Sequence, residues 1–306
     1  MKCRIKFLIY SLLAGLTALT VSCSRQKKFQ LIESREFAFP SASALEFYDG
    51  KLYVFGDDAA YLLVLSPDYK VLDSVFFRER ILGRIPKDVK HDIESSFIRM
   101  ENGQPVLYGI GSMSNGNRSG ALAYEIGNRR YSNIPTFDSN NVFSSIASLN
   151  IEGSCVVGNT TVFANRANLS SRVNYFIFDN QKSQVTVKPV SLPRQKTVAG
   201  ISGISYVKEK DLLLFTASEE ETESTTADGA IGDSYLGWME NFSTKIGASE
   251  FVPDRFIKLS EVDNVFSKQK VESVCVEKVT GNELLLHLAA DNDDGTSRFF
   301  KLQMRL

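Results

Sequence analysis

Three glutamates and two serines recur in one local setting along the chain. They are Glu94 in Ile93-Glu94-Ser95-Ser96, Glu152 in Ile151-Glu152-Gly153-Ser154, Glu272 in Val271-Glu272-Ser273-Val274, Ser43 in Ala42-Ser43-Ala44-Leu45 and Ser202 in Ile201-Ser202-Gly203-Ile204. In chain order they are separated by 51, 58, 50 and 70 residues. If the chain brings them to one place, the carboxylates raise one another's pKa unless a cation lies among them, which is the chemistry of a site for a divalent metal or a cationic group. The other use of such residues is to pair with backbone amides and with Lys or Arg, joining neighbouring segments. His91, in Lys90-His91-Asp92-Ile93-Glu94, adds one candidate metal ligand or acid–base group. His287, the second of only two histidines, sits in the apolar run Leu284-Leu285-Leu286-His287-Leu288 and reads as packed or at a rim. With so few imidazoles and no Gly-x-Ser-x-Gly elbow, a Ser-His-Asp nucleophile is not supported.

The elements that would carry these residues repeat too. Each anchor opens an alternating strand, followed by a turn and a second apolar strand: Tyr53-Val54-Phe55, Val106-Leu107-Tyr108, Thr161-Val162-Phe163, Leu213-Leu214-Phe215 and Leu284-Leu285-Leu286. The second strands end in polar corners, Gly56-Asp57-Asp58, Gly109-Ile110-Gly111-Ser112, Asn165-Arg166, Ser218-Glu219-Glu220 and Asp291 to Gly295. Third strands are expected at Tyr61–Leu65, Ala121–Ile126, Tyr175–Phe178 and Phe299–Gln303. A period near fifty with about four short strands per unit predicts an all-β fold, a β-propeller. The innermost strand of each blade then lines a central channel, and the five anchors converge there. Dividing the chain by the usual blade length favours six blades, with a degenerate one between Ser218 and Trp238; five blades with an insertion there is the alternative. The segment 29–39 is expected to close the ring by pairing with the last blade.

Two acidic segments read as surface. Asp291-Asn292-Asp293-Asp294-Gly295 has the start of a calcium loop but no Glu at its twelfth position, so a hairpin turn is expected. The run Glu219-Glu220-Glu221-Thr222-Glu223 reads as a solvated face. Cys155 and Cys275 both lie three residues after an anchor, so they should point between blades as buried free thiols rather than form a disulfide.

The first residues are an address. Lys2, Arg4 and Lys6 precede an apolar run to Val21, too short to span a bilayer, and a small residue precedes Cys23. Residues 1–22 read as a lipoprotein signal peptide, 23–28 as the lipid-bearing Cys23 with a polar tether, and 29–306 as a single domain. Leu19-Thr20-Val21-Ser22-Cys23 resembles a bacterial lipoprotein box, and Ser24 after the cysteine implies an outer-membrane destination, with the periplasmic or surface face left open. Loss of the signal removes three positive charges and no negative one, taking the net charge from −1 to −4. That balance excludes nucleic acid as a partner, and a 43% hydrophobic content excludes a disordered chain.

With these repeats the chain resembles the TolB-like six-bladed propeller lipoproteins of Gram-negative bacteria. It is also similar to the phytase-like or esterase-like propeller family, through Asp49 to Asp58, Asp92-Ile93-Glu94, Asp228 to Gly232, Val271-Glu272-Ser273 and Ala290 to Asp293. Both resemblances imply a propeller; the second implies hydrolysis only weakly, because one fold hosts many functions. Two functions are therefore expected. The first is a membrane-tethered binding or scaffold protein that meets a protein or small-molecule ligand at a channel mouth. The second is a metal-dependent phosphoesterase or esterase-like hydrolase, with calcium held by Glu94, Glu152 and Glu272 and supported by His91.

Overall fold

The structure is a computed structural model that describes residues 28–306, apart from 78–80, 87–89, 115–117, 136, 138–142, 144–145, 147, 181–184, 222–228 and 293. The lipoprotein signal and Cys23 lie outside the described residues.

Strand β1 (Phe29–Phe37) precedes the first blade, which is formed by β2 (Ala42–Tyr48), β3 (Lys51–Gly56), β4 (Tyr61–Leu65) and β5 (Val71–Phe76). Blade two is β6 (Ile93–Glu101), β7 (Gln104–Gly111), β8 (Ala121–Glu125) and β9 (Arg130–Ile134). Blade three is β10 (Ile151–Val157), β11 (Thr160–Asn165), β12 (Asn174–Asp179) and β13 (Thr186–Val190). Blade four is β14 (Ala199–Val207), β15 (Leu212–Glu220), β16 (Ile231–Glu240) and β17 (Arg255–Lys258). Blade five takes β18 (Lys270–Thr280), β19 (Glu283–Asp291) and β20 (Ser297–Arg305) from the C-terminus, and β1 is its fourth strand. Phe29 to Phe37 run antiparallel to Met304 to Ser297, so the two ends of the chain close the circle and cover the β20 edge.

The ring has five blades, not six. The stretch that reads as a degenerate sixth blade, Tyr235 to Trp238, is part of β16, the third strand of blade four. This blade's span is long because of an acidic excursion before β16 and two four-residue helices, α1 (Phe242–Lys245) and α2 (Leu259–Val262), beside β17. Division by an average blade length therefore counts an insertion as a blade.

Strands buried on both faces need apolar residues at successive positions. In β3, Leu52 and Val54 pack toward blade five while Tyr53 and Phe55 pack toward blade two. Five such interfaces make up the core, one between each pair of neighbours around the ring. Cys155 lies in the interface of blades three and four, Cys275 in that of blades five and one, both as buried free thiols.

The inner strands approach one another closely. A Cβ on Gly153 would stand 2.8 Å from the backbone of Ile204, and one on Gly203 would stand 2.5 Å from the Glu272 carbonyl. The residue after every anchor is small: Ala44, Ser95, Gly153, Gly203 and Ser273. A narrow ring requires this.

Candidate functional site

Each anchor is a β-bulge. The ladder between first and second strand skips a residue between Ala42 and Ala44, Ile93 and Ser95, Ile151 and Gly153, Ile201 and Gly203, and Val271 and Ser273. The skipped residues are Ser43, Glu94, Glu152, Ser202 and Glu272. A bulge leaves its extra residue outside the pairing and re-aims the side chain, and here it does so at the start of all five inner strands, hence at one mouth of the channel.

The two serines turn sideways. Ser202 Oγ donates to the Val271 carbonyl of the next blade at 2.7 Å, and Ser43 Oγ makes the equivalent bond to the Ile93 carbonyl. Each acceptor immediately precedes the neighbouring anchor, so these serines stitch blade to blade.

Glu152 and Glu272 enter a charged network. Arg166, at the corner after β11, donates from Nη1 to Glu152 Oε2 at 3.1 Å and from Nη2 to Glu220 Oε2 and Ser218 Oγ, both at 3.0 Å. Lys270 Nζ lies 3.0 Å from Glu272 and 3.9 Å from Glu220. Burial pushes Glu152 above the usual carboxylate range against the pull of Arg166 and Lys270, and pushes Glu272 up to about 7 against Lys270.

Glu94 is arranged differently. It is half-buried at the mouth, and among the described residues no hydrogen bond or ion pair holds its carboxylate. Burial, then the charges of Asp57, Glu152, Asp92 and Glu272, raise its pKa well above the usual range. One oxygen each of Asp57, Asp92 and Glu94 lies within 4.8 Å of the others. Lys90 stands among these acids, bonded to Asp57, 3.1 Å from Asp58 and 2.9 Å from Asp92. Arg118 holds Asp92 at 2.9 Å and Arg84 holds Asp58 at 2.6 Å. Asp57 is pushed up to about 6 by burial despite Lys90.

The three glutamates thus meet at one mouth but are held unequally: Glu152 and Glu272 pair with Arg166 and Lys270, whereas Glu94 makes no hydrogen bond or ion pair among the described residues. The His91 ring lies beside the third strand of its blade, its Nδ1 about 4.0 Å from where a Cβ on Gly120 would sit, and it is not among the acids Asp57, Asp92 and Glu94 whose oxygens gather. His287 is fully buried, accepting from Tyr69 Oη at 2.9 Å and donating to Glu277 at 2.8 Å, and burial lowers it to about 4. Glu219 and Glu220 are buried, not solvated; Tyr235 Oη donates to Glu219 at 2.9 Å. The Asp291 segment is a hairpin turn in which Asp294 accepts from Thr296, with Asp293 outside the described residues.

Below the mouth the channel tightens. Ser95, Ser154 and Ser273 line it with buried hydroxyls that have no partner among the described residues, leaving a cavity of about 10 Å³, room for about one water.

Sequence reasoning missed Arg166, Lys270, Lys90, Asp57 and Asp92 as partners of the anchors. The signal was present: polar corners recur at the ends of the second strands, and antiparallel pairing sets Asn165 opposite Ile151, bringing each corner beside its anchor.

Residues 38–304 match the model of a family of unknown function, DUF6929. The chain belongs to that family. No curated protein matches this DUF6929 member. Among solved structures it is similar to the glutaminyl cyclase of Myxococcus xanthus, at 10% identity over 91% of this chain and 97% of that one, with a TM-score of 0.49. It is also similar to the virginiamycin B lyase of Staphylococcus aureus crystallised with quinupristin, at 9% identity over 90% and 99% of the two chains and a TM-score of 0.43. A DUF4221 member from Bacteroides vulgatus shares 9% identity over 84% and 76%, with a TM-score of 0.34.

Proposed function

We propose that this protein is a binding protein of the cell envelope, exported and lipid-anchored through Cys23 as TolB-like lipoproteins are, and that its acidic channel mouth recognises a cationic group on a protein or small molecule. The observation that carries this reading is Glu94: a bulged carboxylate at the mouth, facing four other acids and held by no hydrogen bond or ion pair among the described residues, while the nearby Lys90 is bonded to Asp57 and Asp92. A carboxyl held back from ionising by burial and by neighbouring like charges gains most when a cation arrives, and releases its proton on binding.

The test is calorimetric titration of the detergent-solubilised full chain with putrescine and, separately, with Ca²⁺. Putrescine should bind with release of protons, and Glu94→Gln should weaken it at least tenfold. No binding of either cation by the wild-type protein would sink the proposal.

The second reading, a calcium-dependent hydrolase, is favoured by the oxygens of Asp57, Asp92 and Glu94 lying so close together. Calcium takes six to eight oxygens, whereas here the Lys90 ammonium already lies among the carboxylates, so a metal must displace it. Ca²⁺ binding that is lost in Asp57→Asn while putrescine fails to bind would raise this reading above the first.

A further inference from the structure

A second concavity lies on the same face, between blades three and four. The antiparallel order sets the starts of first and third strands at one end of a blade, so the segments leading into Asn174 of β12 and Ala199 of β14 both lie at the mouth end. Between them is a cleft of about 430 Å³, within the range of small-molecule sites. Arg172, Arg194 and Lys196 line it, and no Asp or Glu does. Among the described residues none of the three has a carboxylate partner; the Arg172 guanidinium donates from Nε to the Leu169 carbonyl, at 3.2 Å. The neighbouring Arg166 is already occupied by Glu152 and Glu220. Leu169 and Leu192 form apolar walls, and the buried Thr197 Oγ1 has no hydrogen-bond partner among the described residues.

We propose that this cleft binds a small molecule with an oxyanion head and an apolar body. Three cations around one concavity repel one another until an anion enters, and a concave cationic site focuses its field on that anion even though the mature chain is acidic. Guanidinium forks match the paired oxygens of phosphate or carboxylate, and the leucines cover the body. The site is separate from the Glu94 mouth and stands or falls independently of the cation reading.

Phenyl phosphate and benzoate titrated into the full chain are the probes, with inorganic phosphate as the headgroup alone. At least one aromatic probe should bind, more tightly than inorganic phosphate. The double variant Arg194→Gln, Lys196→Gln should lose at least tenfold in affinity, whereas Arg130→Gln, on the exposed β9 of blade two, should not. Preference for phenyl phosphate assigns a phosphate ester and preference for benzoate a carboxylate; both uphold the site. Failure of both probes to bind at millimolar concentration, or unchanged affinity in the double variant, overturns it. Because all three cations are exposed, their removal leaves the blades folded, which the unfolding transition of each variant verifies.

Discussion

Arg166 of blade three donates to Glu220 of blade four at 3.0 Å while its other nitrogen holds Glu152 of its own blade at 3.1 Å. One buried guanidinium thus neutralises two carboxylates and ties two blades at the channel mouth. Replacing it with Met takes the hydrogen-bonding cation from both buried acids and leaves only the more distant Lys270, a change that costs about 3–5 kcal/mol in comparable buried pairs. Urea unfolding of Arg166→Met should show that loss, and adding Glu152→Gln and Glu220→Gln should restore most of it. A loss below about 1 kcal/mol would mean the acids are neutral or solvated without Arg166.

The stitching serines make a smaller and separate contribution. Ser202→Ala and Ser43→Ala each remove the hydroxyl donor from a buried carbonyl of the next blade, costing about 1–2 kcal/mol. Thermal unfolding should shift down by roughly 2–4 °C per kcal/mol for a domain of this size. An unchanged midpoint in both variants would show that the inner strands are held by packing alone.

Much of this arrangement is legible before folding, and the part that is not has a physical cause. The repeat of an apolar residue (Ile or Val in four blades, Ala42 in the first), then Glu or Ser, then a small residue marks all five inner strands, because an inner strand must be apolar toward the core, bulged at the mouth and thin against its neighbours. The third strands are equally plain at Tyr61–Leu65 and Ala121–Glu125. Blade number is obscured because Tyr235 to Trp238 is an apolar strand after an acidic excursion, and period alone cannot tell a delayed third strand from a new blade. The fates of the three glutamates are hidden for another reason. Arg166 reaches Glu152 and Glu220 across strands and blades, Lys270 stands two residues before Glu272 on β18, and Lys90 pairs with Asp57, Asp58 and Asp92 beside Glu94. The anchor motif alone does not distinguish Glu152, which Arg166 holds, from Glu94, which no hydrogen bond or ion pair holds among the described residues.

Ring closure gives a prediction of its own. β1 supplies the outer strand of blade five, the Lys28 carbonyl accepts from Arg305 N at 2.8 Å, and the Phe29 ring lies 6.2 Å from that of Trp238. Deleting residues 29–37 would bare the backbone edge of β20 beside the buried Phe300, Leu302 and Met304. An uncovered edge of this kind pairs with other chains. Light scattering after size exclusion should find dimers or aggregates where the intact chain is monodisperse, with a lower unfolding midpoint. A monomeric deletion variant of unchanged midpoint would place closure elsewhere.

The channel itself should make stability depend on pH through Glu46. This residue, three after Ser43 on β2, lines the channel with Ser96 Oγ 3.4 Å from its carboxylate, and burial pushes it from 4.5 up to about 8, partly offset by that serine. Between pH 4.5 and 8 the folded protein keeps a proton that the unfolded chain releases, so stability falls as pH rises through that window and stays lowered above it. Glu46→Gln cannot ionise and escapes the loss. The variant should match the wild type near pH 4 and exceed it at pH 9, by on the order of 2 kcal/mol once the residue's partial exposure is allowed for. Comparing the two proteins at each pH cancels the titrations of Asp57, Glu94 and Glu272, which both retain. Urea unfolding at pH 4, 6 and 9 measures the difference directly, and a gap that stays constant across the three would show that Glu46 titrates alike in the folded and unfolded chains, its carboxylate well solvated in the channel.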